Sequence, residues 1–273
     1  MFWLKKKIKL PYVDIGSVKY TYPLESRDNI IDCLIDQERL FNNSSDIRKL
    51  QLCLRTGGCI VDAGCHIGSK TLYLAEYKRY RFISIDACPE SINCLKESVR
   101  ENDLDDYVRP VQAVLSHSNF LCSFDQQTNE RSIIEKPISF WKSLFSKNTK
   151  RYKTKTLDKI IGDTRCGVIK VDVGGYELSI LHGAIETIKR DSPNLLINFD
   201  GRNASIDSIL DLLDELEYEA FFLTDQIDPT NSLPIIYKVD KACDNCQPTF
   251  MMCFHKDVQK HGLSLGQLEG AMI

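Results

Sequence analysis

The fold of this chain is decided by the stretch Cys59-Ile60-Val61-Asp62-Ala63-Gly64-Cys65-His66-Ile67-Gly68. Its apolar first half, Cys59–Ala63, predicts a buried β-strand, and residues 67–78 have the apolar spacing of a helix. Between them, Gly64 allows the backbone to approach a ligand closely, and Gly68 permits a tight start to the helix. A strand, a glycine loop and a helix in this order predict one unit of an α/β sheet with a ligand site at the end of the strand.

The same alternation of strand and helix continues along the chain. Further strands are predicted at residues 81–86, 108–115, 168–173, 195–200 and 220–223, and helices at 89–102, 176–190 and 205–216. Strands that alternate with helices of this length predict a parallel, doubly wound sheet with helices on both faces. Two short apolar runs near the end, 234–239 and 249–255, are expected to pair as a closing antiparallel hairpin.

The residues around the glycine loop indicate which ligand the sheet would bind. Asp62 occupies the position of the first glycine in the dinucleotide pattern G-x-G-x-x-G, and its carboxylate would repel a pyrophosphate but not an amino group or a sulfonium. The next strand ends in Asp86, which can accept hydrogen bonds from both hydroxyls of a ribose. We therefore expect a nucleoside-type ligand, although Asp86 alone could simply cap the following helix.

The composition limits the classes to which this protein can belong. The chain has 273 residues, of which 43% are hydrophobic and 27% are charged, so we expect an ordinary globular protein rather than a disordered one. A formal net charge of −3 gives no general reason to expect nucleic-acid binding. No apolar run reaches the roughly 20 residues that span a bilayer, so no transmembrane segment is predicted.

The composition and the apolar pattern divide the chain into three parts. Residues 1–50 are expected to form a helical or irregular N-terminal extension, residues 51–256 the α/β domain, and residues 257–273 a C-terminal tail. Within the domain, residues 116–155 form an irregular, basic segment that is expected to be a flap or an insertion. The basic start is not followed by an apolar run of secretory length, so a cytoplasmic protein with at most weak peripheral membrane contact is expected.

The cysteines support a reducing compartment. There are eleven, and because the number is odd they cannot all form internal pairs. Cys243 and Cys246 form a C-x-x-C motif, which is followed by Cys253 and His255, so a tetrahedral zinc site is geometrically possible. Since only one C-x-x-C is present and the second pair is loosely spaced, we expect no metal.

Six segments, in this order, carry a resemblance to a known family. They are Val61-Asp62-Ala63-Gly64-Cys65-His66-Ile67-Gly68, Ile85-Asp86-Ala87-Cys88-Pro89-Glu90, Thr156-Leu157-Asp158, Ile169-Lys170-Val171-Asp172-Val173-Gly174-Gly175-Tyr176-Glu177, Leu181-His182-Gly183-Ala184 and Pro193-Asn194-Leu195-Leu196. This half of the chain resembles the FkbM-type S-adenosylmethionine-dependent methyltransferases. The resemblance implies a class I methyltransferase (Rossmann-like) fold with a seven-stranded, mostly parallel sheet. It also implies S-adenosyl-L-methionine as cofactor, S-adenosyl-L-homocysteine as product, and O-methylation of a hydroxyl on a small-molecule or glycan acceptor, namely a sugar, a glycan or a natural product.

The resemblance also implies a set of cofactor-binding residues. Those expected at the methionine end of the cofactor are Asp62, Gly64, Cys65, His66 and Gly68. Asp86 would hold the ribose, and Gln112 and Ala113 would flank the adenine. His66 stands where the family usually carries Asn, and it can still donate a hydrogen bond.

Three acids are the candidate catalytic residues. Asp172 ends a predicted buried strand, and Glu177 follows in the first turn of the next helix. We hypothesise that Asp172 has a raised proton affinity and positions or deprotonates the acceptor hydroxyl, with Glu177 orienting it and Asp200 in reserve. The alternative is that Asp172 and Glu177 merely shape the start of the helix.

Two departures from the family pattern leave other functions open. The family carries Glu at the positions of Gly174 and Asn198, so a catalytically degenerate protein that binds S-adenosylmethionine is one alternative. A nicotinamide-dependent oxidoreductase on the same kind of sheet is a second, against which Asp62 argues.

Overall fold

The computed structural model of the chain describes residues 10–15, 17–22, 53, 57–124, 133–134, 150–199, 206–227, 234–238 and 250–257. The strands are β1 (Tyr12–Ile15), β2 (Val18–Thr21), β3 (Cys59–Ala63), β4 (Phe82–Asp86), β5 (Val108–Gln112), β6 (Val114–Leu115), β7 (Leu121–Phe124), β8 (Ile133–Ile134), β9 (Lys150–Lys155), β10 (Cys166–Val171), β11 (Asn194–Asn198), β12 (Tyr218–Ile227), β13 (Pro234–Lys238) and β14 (Phe250–His255). The helices are α1 (Ser69–Ala75), α2 (Pro89–Glu101), α3 (Leu157–Ile161), α4 (Glu177–His182), α5 (Ile185–Asp191) and α6 (Ile206–Glu215).

The central sheet has eight strands in the order β13-β12-β14-β11-β10-β3-β4-β5. The five neighbours from β11 to β5 are parallel, whereas β14 runs antiparallel to both β11 and β12. The expected α/β class with a mostly parallel sheet and antiparallel strands at one end is confirmed. The strand order reverses between β3 and β10, and the crevice at the carboxyl ends of these two strands is the usual ligand site of such a sheet.

The prediction that the last two strands pair with each other as a closing hairpin is wrong. The two apolar runs near the end of the chain do form strands, β13 and β14, but each pairs with β12 rather than with the other. β14 is inserted between β11 and β12, where Met251 and Met252 are fully buried. A strand that is apolar on both sides is stabilised more in the interior of a sheet than at its edge. β13 therefore becomes an eighth strand at the edge, beyond the seven that were expected.

Helices cover the sheet on both faces, and each face has its own core. Along β3, Ile60 packs into one core with Leu72 and Leu95 of α1 and α2, while Val61 packs into the other with Leu181 of α4. This two-sided burial explains why the strand is apolar throughout instead of alternating. Among the described residues, no helix has the length and apolar character to cross a membrane.

Part of the N-terminal extension is a β-hairpin, which the sequence analysis did not predict. β1 and β2 pair antiparallel, and β2 is hydrogen-bonded to side chains in and just after α2. The amide of Thr21 donates to Ser98 Oγ over 2.8 Å, and the amide of Lys19 donates to Asn102 Oδ1 over 2.8 Å. The hairpin thereby anchors part of the extension to the α/β domain. Residues 23–50 of the extension and residues 258–273 of the tail lie outside the described residues.

The basic segment 116–155 is not irregular where the structure describes it. β6, β9, β7 and β8 form a second sheet in that order. β6 pairs parallel with β9, and β7 pairs antiparallel with both β9 and β8. Because β6 begins two residues after β5 ends, this insertion grows from the carboxyl edge of the central sheet.

Candidate active site

The loop between β3 and α1 requires glycine at two positions. Gly64 has a φ of 83° and Gly68 a φ of 82°, values in the left-handed region that favours glycine. A Cβ atom at Gly64 would overlap the carbonyl oxygen of Asp172, and one at Gly68 would overlap the Leu95 side chain. The loop therefore packs directly against the end of β10 and against α2. Its backbone borders the crevice at the carboxyl ends of β3 and β10.

Asp86 connects this loop to the end of β4. Its Oδ2 accepts a hydrogen bond from the His66 amide over 2.9 Å, and its Oδ1 accepts one from the Cys88 amide over 2.8 Å. A carboxylate has about four lone-pair positions, so the two oxygens can still accept bonds from a ligand. The partly exposed carboxylate is thus oriented in advance, as the binding of a ribose diol requires.

The two residues expected at the adenine lie beside Asp86. Gln112 Nε2 donates to the Ala87 carbonyl over 3.0 Å, and the Ala113 amide donates to the Asp86 carbonyl over 3.0 Å. The end of β5 is therefore joined to the end of β4. Ala113 is buried, while Gln112 is partly exposed and can contact a ligand.

Asp62 and Cys65 differ from the expectation that their side chains line the crevice. Asp62 is only 3% exposed, and its oxygens are engaged by Lys170 Nζ at 2.9 Å and by the Thr71 hydroxyl at 2.8 Å. The Cys65 thiol is also buried, and burial raises its pKa. Both side chains lie beneath the loop, because the buried ammonium of Lys170 needs a carboxylate partner and a thiol packs well in a core.

Lys170 is a residue of the site that the sequence analysis missed. It is 1% exposed, and its Nζ lies 2.9 Å from Asp62 Oδ1 and 3.2 Å from Asp172 Oδ2. Burial alone lowers the pKa of an ammonium, but the two carboxylates outweigh it and hold the pKa of Lys170 above its ordinary value. The available signal was a lysine within an otherwise apolar strand, which is rarely buried without an acidic partner.

Asp172 lies at the carboxyl end of β10, as expected, but its proton affinity is not raised. Its Oδ1 accepts a hydrogen bond from Asn198 Nδ2 over 2.8 Å, and its Oδ2 lies 3.6 Å from Lys70 Nζ in addition to Lys170. Burial raises the pKa of this carboxyl, but the charges of Lys170 and Lys70 and the bond from Asn198 hold it well below its ordinary value. The prediction of a raised pKa is therefore wrong, and Asp172 stays ionised near neutral pH.

Glu177 does not share the crevice with Asp172. It is fully buried, and its Oε1 accepts a hydrogen bond from the Gly175 amide over 2.9 Å at the start of α4. The expectation that it orients an acceptor is corrected: this carboxylate shapes the start of the helix. Asp200, the third candidate, lies outside the described residues.

The zinc alternative is tested only in part. Cys243 and Cys246 lie outside the described residues, and Cys253 is fully buried in β14. Within the described ranges, no group of three or more His, Cys, Asp and Glu side chains is arranged to hold a metal ion. The structure shows free thiols at Cys53, Cys59, Cys65, Cys88, Cys94, Cys166 and Cys253.

The strand order reverses between β3 and β10, a glycine loop follows β3, and an acidic residue ends β4. Together these features define a class I methyltransferase. The family model of the methyltransferase FkbM domain matches residues 62–220, which is more than half of the chain. The chain belongs to the FkbM methyltransferase family. Membership of this family implies S-adenosylmethionine as methyl donor, and the glycine loop and the oriented Asp86 carboxylate fit a nucleoside of that kind.

Similar solved structures include a methyltransferase FkbM from Methylobacillus flagellatus, with 16% identity and a TM-score of 0.47 over 74% of this chain and 44% of that one. This chain thus spans less than half the length of that protein. A TehB-like SAM-dependent methyltransferase from Corynebacterium glutamicum has 16% identity and a TM-score of 0.44, covering 84% of this chain and 98% of that one. TYW2 from P. horikoshii in complex with MeSAdo has 10% identity and a TM-score of 0.39, covering 90% and 71%. A comparison with curated proteins finds no match.

Proposed function

We propose that this protein transfers the methyl group of S-adenosyl-L-methionine to a hydroxyl oxygen of a sugar, glycan or natural-product acceptor. The observation that carries the proposal is the carboxylate of Asp86, held by two backbone amides at the end of β4 beside the glycine loop. Membership of the FkbM methyltransferase family supports the transfer of a methyl group. The same membership argues against the nicotinamide-dependent oxidoreductase.

In this proposal the chain's own residues bind and orient the two reactants. Asp86 accepts hydrogen bonds from the ribose, and Gln112 with the backbone of Ala113 borders the adenine. Gly64 and Gly68 bring the loop backbone close to the sulfur end, while the amides of Cys65 and His66 hold the loop to the Ile85 carbonyl and the Asp86 carboxylate. S-adenosylmethionine supplies a methyl group that is activated by its positively charged sulfur. Alignment of acceptor and donor contributes several kcal/mol of the rate enhancement in such reactions.

In this proposal Asp172 does not act as the general base that deprotonates the acceptor hydroxyl. An efficient general base has a pKa near the working pH, whereas two lysines and Asn198 hold the pKa of Asp172 well below its ordinary value. Asp172 therefore serves as a permanent negative charge in the crevice. Glu177 supports the start of α4. Asp200, because of its position in the sequence, stays the candidate residue whose carboxylate would take the proton from the acceptor hydroxyl.

The first experiment is calorimetry of the purified chain with S-adenosylmethionine and S-adenosylhomocysteine. Both should bind, and Asp86→Ala should weaken them by about 10- to 100-fold, because charge-assisted hydrogen bonds are lost. Asp105→Ala, which removes an exposed acid far along the chain from the loop, is the control. A folded protein that binds neither compound would refute the assignment.

The acceptor is sought with labelled S-adenosylmethionine and extracts that contain sugars, glycans and small hydroxylated metabolites. Label that appears as a base-stable methyl ether supports O-methylation. Binding of the cofactor without turnover of any acceptor would instead support the alternative of a catalytically degenerate protein. Gly174 and Asn198, which replace acidic residues of the family, favour that alternative.

A further inference from the structure

The second sheet carries a local excess of positive charge. Residues 131–155, which include β8 and β9, hold eight lysines and arginines and a single acid, Glu135. β9 itself has the sequence Lys150-Arg151-Tyr152-Lys153-Thr154-Lys155, and the strands β6, β7, β8 and β9 contain no Asp or Glu. Because the whole chain has a formal net charge of −3, this excess is a property of the segment and not of the protein.

Two of these lysines lie on an outer face of β9. The side chains of Lys153 and Lys155 are exposed, whereas Thr154 between them is fully buried. The Thr154 hydroxyl donates to the Ser118 carbonyl over 2.7 Å and accepts a hydrogen bond from the Phe120 amide over 2.8 Å, which holds the strand in this orientation. Since successive side chains of a strand point to opposite faces, Lys153 and Lys155 share the face opposite Thr154.

The ammonium groups of Lys153 and Lys155 form no ion pair with the residues that the structure describes. Lys170, by contrast, is held between two carboxylates. A cation that is not already paired binds an anion without first losing an ion pair. The two lysines of β9 are therefore available to an anionic ligand.

An apolar side chain lies beside these cations. Leu121 is the register partner of Lys153, so both side chains lie on the same face of the sheet, and Leu121 is 62% exposed. A face that binds single-stranded nucleic acid presents aromatic rings on which the bases stack, but Tyr152 lies on the opposite face with Thr154. A sugar ring with anionic substituents has apolar C–H surface beside its charges, and this combination matches the outer face of β9.

This face lies close to the crevice of the central sheet. β6 begins two residues after Gln112, the residue expected at the adenine. Leu115 of β6 is the register partner of Lys155, and the Ser116 amide donates to the Lys155 carbonyl over 3.0 Å. At about 3.3 Å per residue along a strand and about 5 Å between strands, the backbone of Lys155 lies within about 15 Å of that of Gln112. An acceptor of several sugar units can therefore reach both the crevice and this face.

We propose that the outer face of β9, defined by Lys153, Lys155 and Leu121, binds anionic groups of the acceptor and thereby selects a glycan that carries carboxylate or sulfate groups. This inference rests on the proposed function and names its substrate class. The anions contact the lysines while a hydroxyl elsewhere on the same glycan lies in the crevice. The two lysines thus hold the acceptor near the cofactor and take no part in the methyl transfer itself.

Binding of model glycans tests the face directly. The probes are oligogalacturonate, which carries carboxylates, heparin oligosaccharides, which carry sulfates, and a neutral maltodextrin of similar length. The variant is Lys153→Gln/Lys155→Gln, and Lys153→Arg/Lys155→Arg restores its charge. Lys96→Gln/Lys189→Gln removes two exposed lysines of α2 and α5, so this control has the same net charge as the glutamine variant of β9. The affinity for S-adenosylhomocysteine and the thermal midpoint are recorded for each protein.

The expected result is a selective loss of anion binding. The wild-type protein binds at least one anionic glycan more tightly than maltodextrin, and this affinity falls as salt is added. Lys153→Gln/Lys155→Gln weakens that binding by about 3- to 30-fold, the range expected for two exposed ion contacts, and changes the affinity for S-adenosylhomocysteine by less than about twofold. Lys153→Arg/Lys155→Arg keeps most of the glycan affinity because it keeps the charge, and Lys96→Gln/Lys189→Gln changes it by less than about twofold.

The labelling experiment with extracts adds a second readout. The methylated product should be retained on an anion exchanger, and Lys153→Gln/Lys155→Gln should form less of it than Lys96→Gln/Lys189→Gln. A product that passes through the exchanger would exclude an anionic acceptor and overturn the inference.

Other results also overturn it. If the wild-type protein binds anionic and neutral glycans equally, or if both glutamine variants lose affinity to the same extent, the face has no selective role, and the proposed function stands as long as S-adenosylhomocysteine binds. If the protein instead prefers single-stranded RNA or phosphatidylserine vesicles to both anionic glycans, and Lys153→Gln/Lys155→Gln abolishes that preference, the face serves a different partner. A folded protein that binds no S-adenosylhomocysteine refutes the proposed function, and the inference fails with it.

Discussion

Lys170 and Asp62 are register partners on the neighbouring strands β10 and β3, and the Lys170 ammonium lies 2.9 Å from Asp62 Oδ1. This pair lies directly beneath the glycine loop and is almost completely buried. It joins the two strands between which the strand order reverses. The chemistry of the crevice thus rests on an ion pair that no ligand reaches.

Lys170→Met should lower the free energy of unfolding by about 3–5 kcal/mol, because it leaves the buried carboxylate of Asp62 without its cation. Urea denaturation measures the change. Lys189→Met removes an exposed lysine of α5 and should change stability by less than about 0.5 kcal/mol. A Lys170→Met protein as stable as the control would mean that the pair contributes nothing to the fold.

Asp172 should make stability depend on pH in acid. Its pKa in the folded protein lies below the ordinary value of 3.8, so the unfolded chain binds more protons as the pH falls through that value. The stabilisation is therefore fully present above that value and is lost as the pH falls toward the folded pKa. In denaturation curves taken from neutral pH downward, Asp172→Asn should show a shallower loss below about pH 4 than the wild type. Equal slopes would contradict the lowered pKa.

Gly64→Ala should destabilise the protein by about 2 kcal/mol or more and abolish binding of S-adenosylhomocysteine, because it combines a left-handed φ with a clash against Asp172. Gly162→Ala is a matched control. Its φ is also positive, at 57°, but nothing lies within 4 Å of the added Cβ. Because its ψ of −134° lies outside the left-handed helical region, this control should cost about 1–3 kcal/mol, but it should leave binding intact. Equal effects of the two substitutions on stability and binding would refute the close packing of the loop.

The thiols should be mostly reduced in protein purified without reductant. Seven of the cysteines are free thiols in the structure, and the total of eleven is odd. Thiol titration of the unfolded protein should therefore detect more than half of them. Metal analysis of the same sample should find no stoichiometric zinc; one zinc per chain would instead assign the tail motif at Cys243 and Cys246 as part of a site.

The strands and the main ligand loop could be read from local patterns. The apolar run at β3, the glycines after it and Asp86 at the end of β4 were all predicted, because each depends on its own short stretch of sequence. The predicted boundaries of helices and strands were less accurate where a distant part of the chain packs against the element. The single helix expected at 176–190 is divided into α4 and α5 near Gly183, whose Cα packs against the carbonyl of Ser116 so closely that a Cβ would overlap it.

The electrostatics of the site could not be read in this way. Asp172 was expected to have a raised pKa because it lies near a second acid in sequence, Glu177. In the structure Glu177 is buried in the start of α4, and the groups around Asp172 are Lys170, Lys70 and Asn198. Three different elements supply these groups, so their distances follow from strand register and helix packing.

By itself, then, the sequence determined the α/β class, the methyltransferase family, the glycine loop and the acid at the end of β4, since these depend on periodicity and on motifs within short segments. The tertiary structure decided that β14 lies between β11 and β12, that Asp62 is buried against Lys170, and that Asp172 stays ionised. The physical reason is that a pKa and a strand order depend on which distant groups come within a few ångströms, and that proximity is set by packing rather than by local sequence.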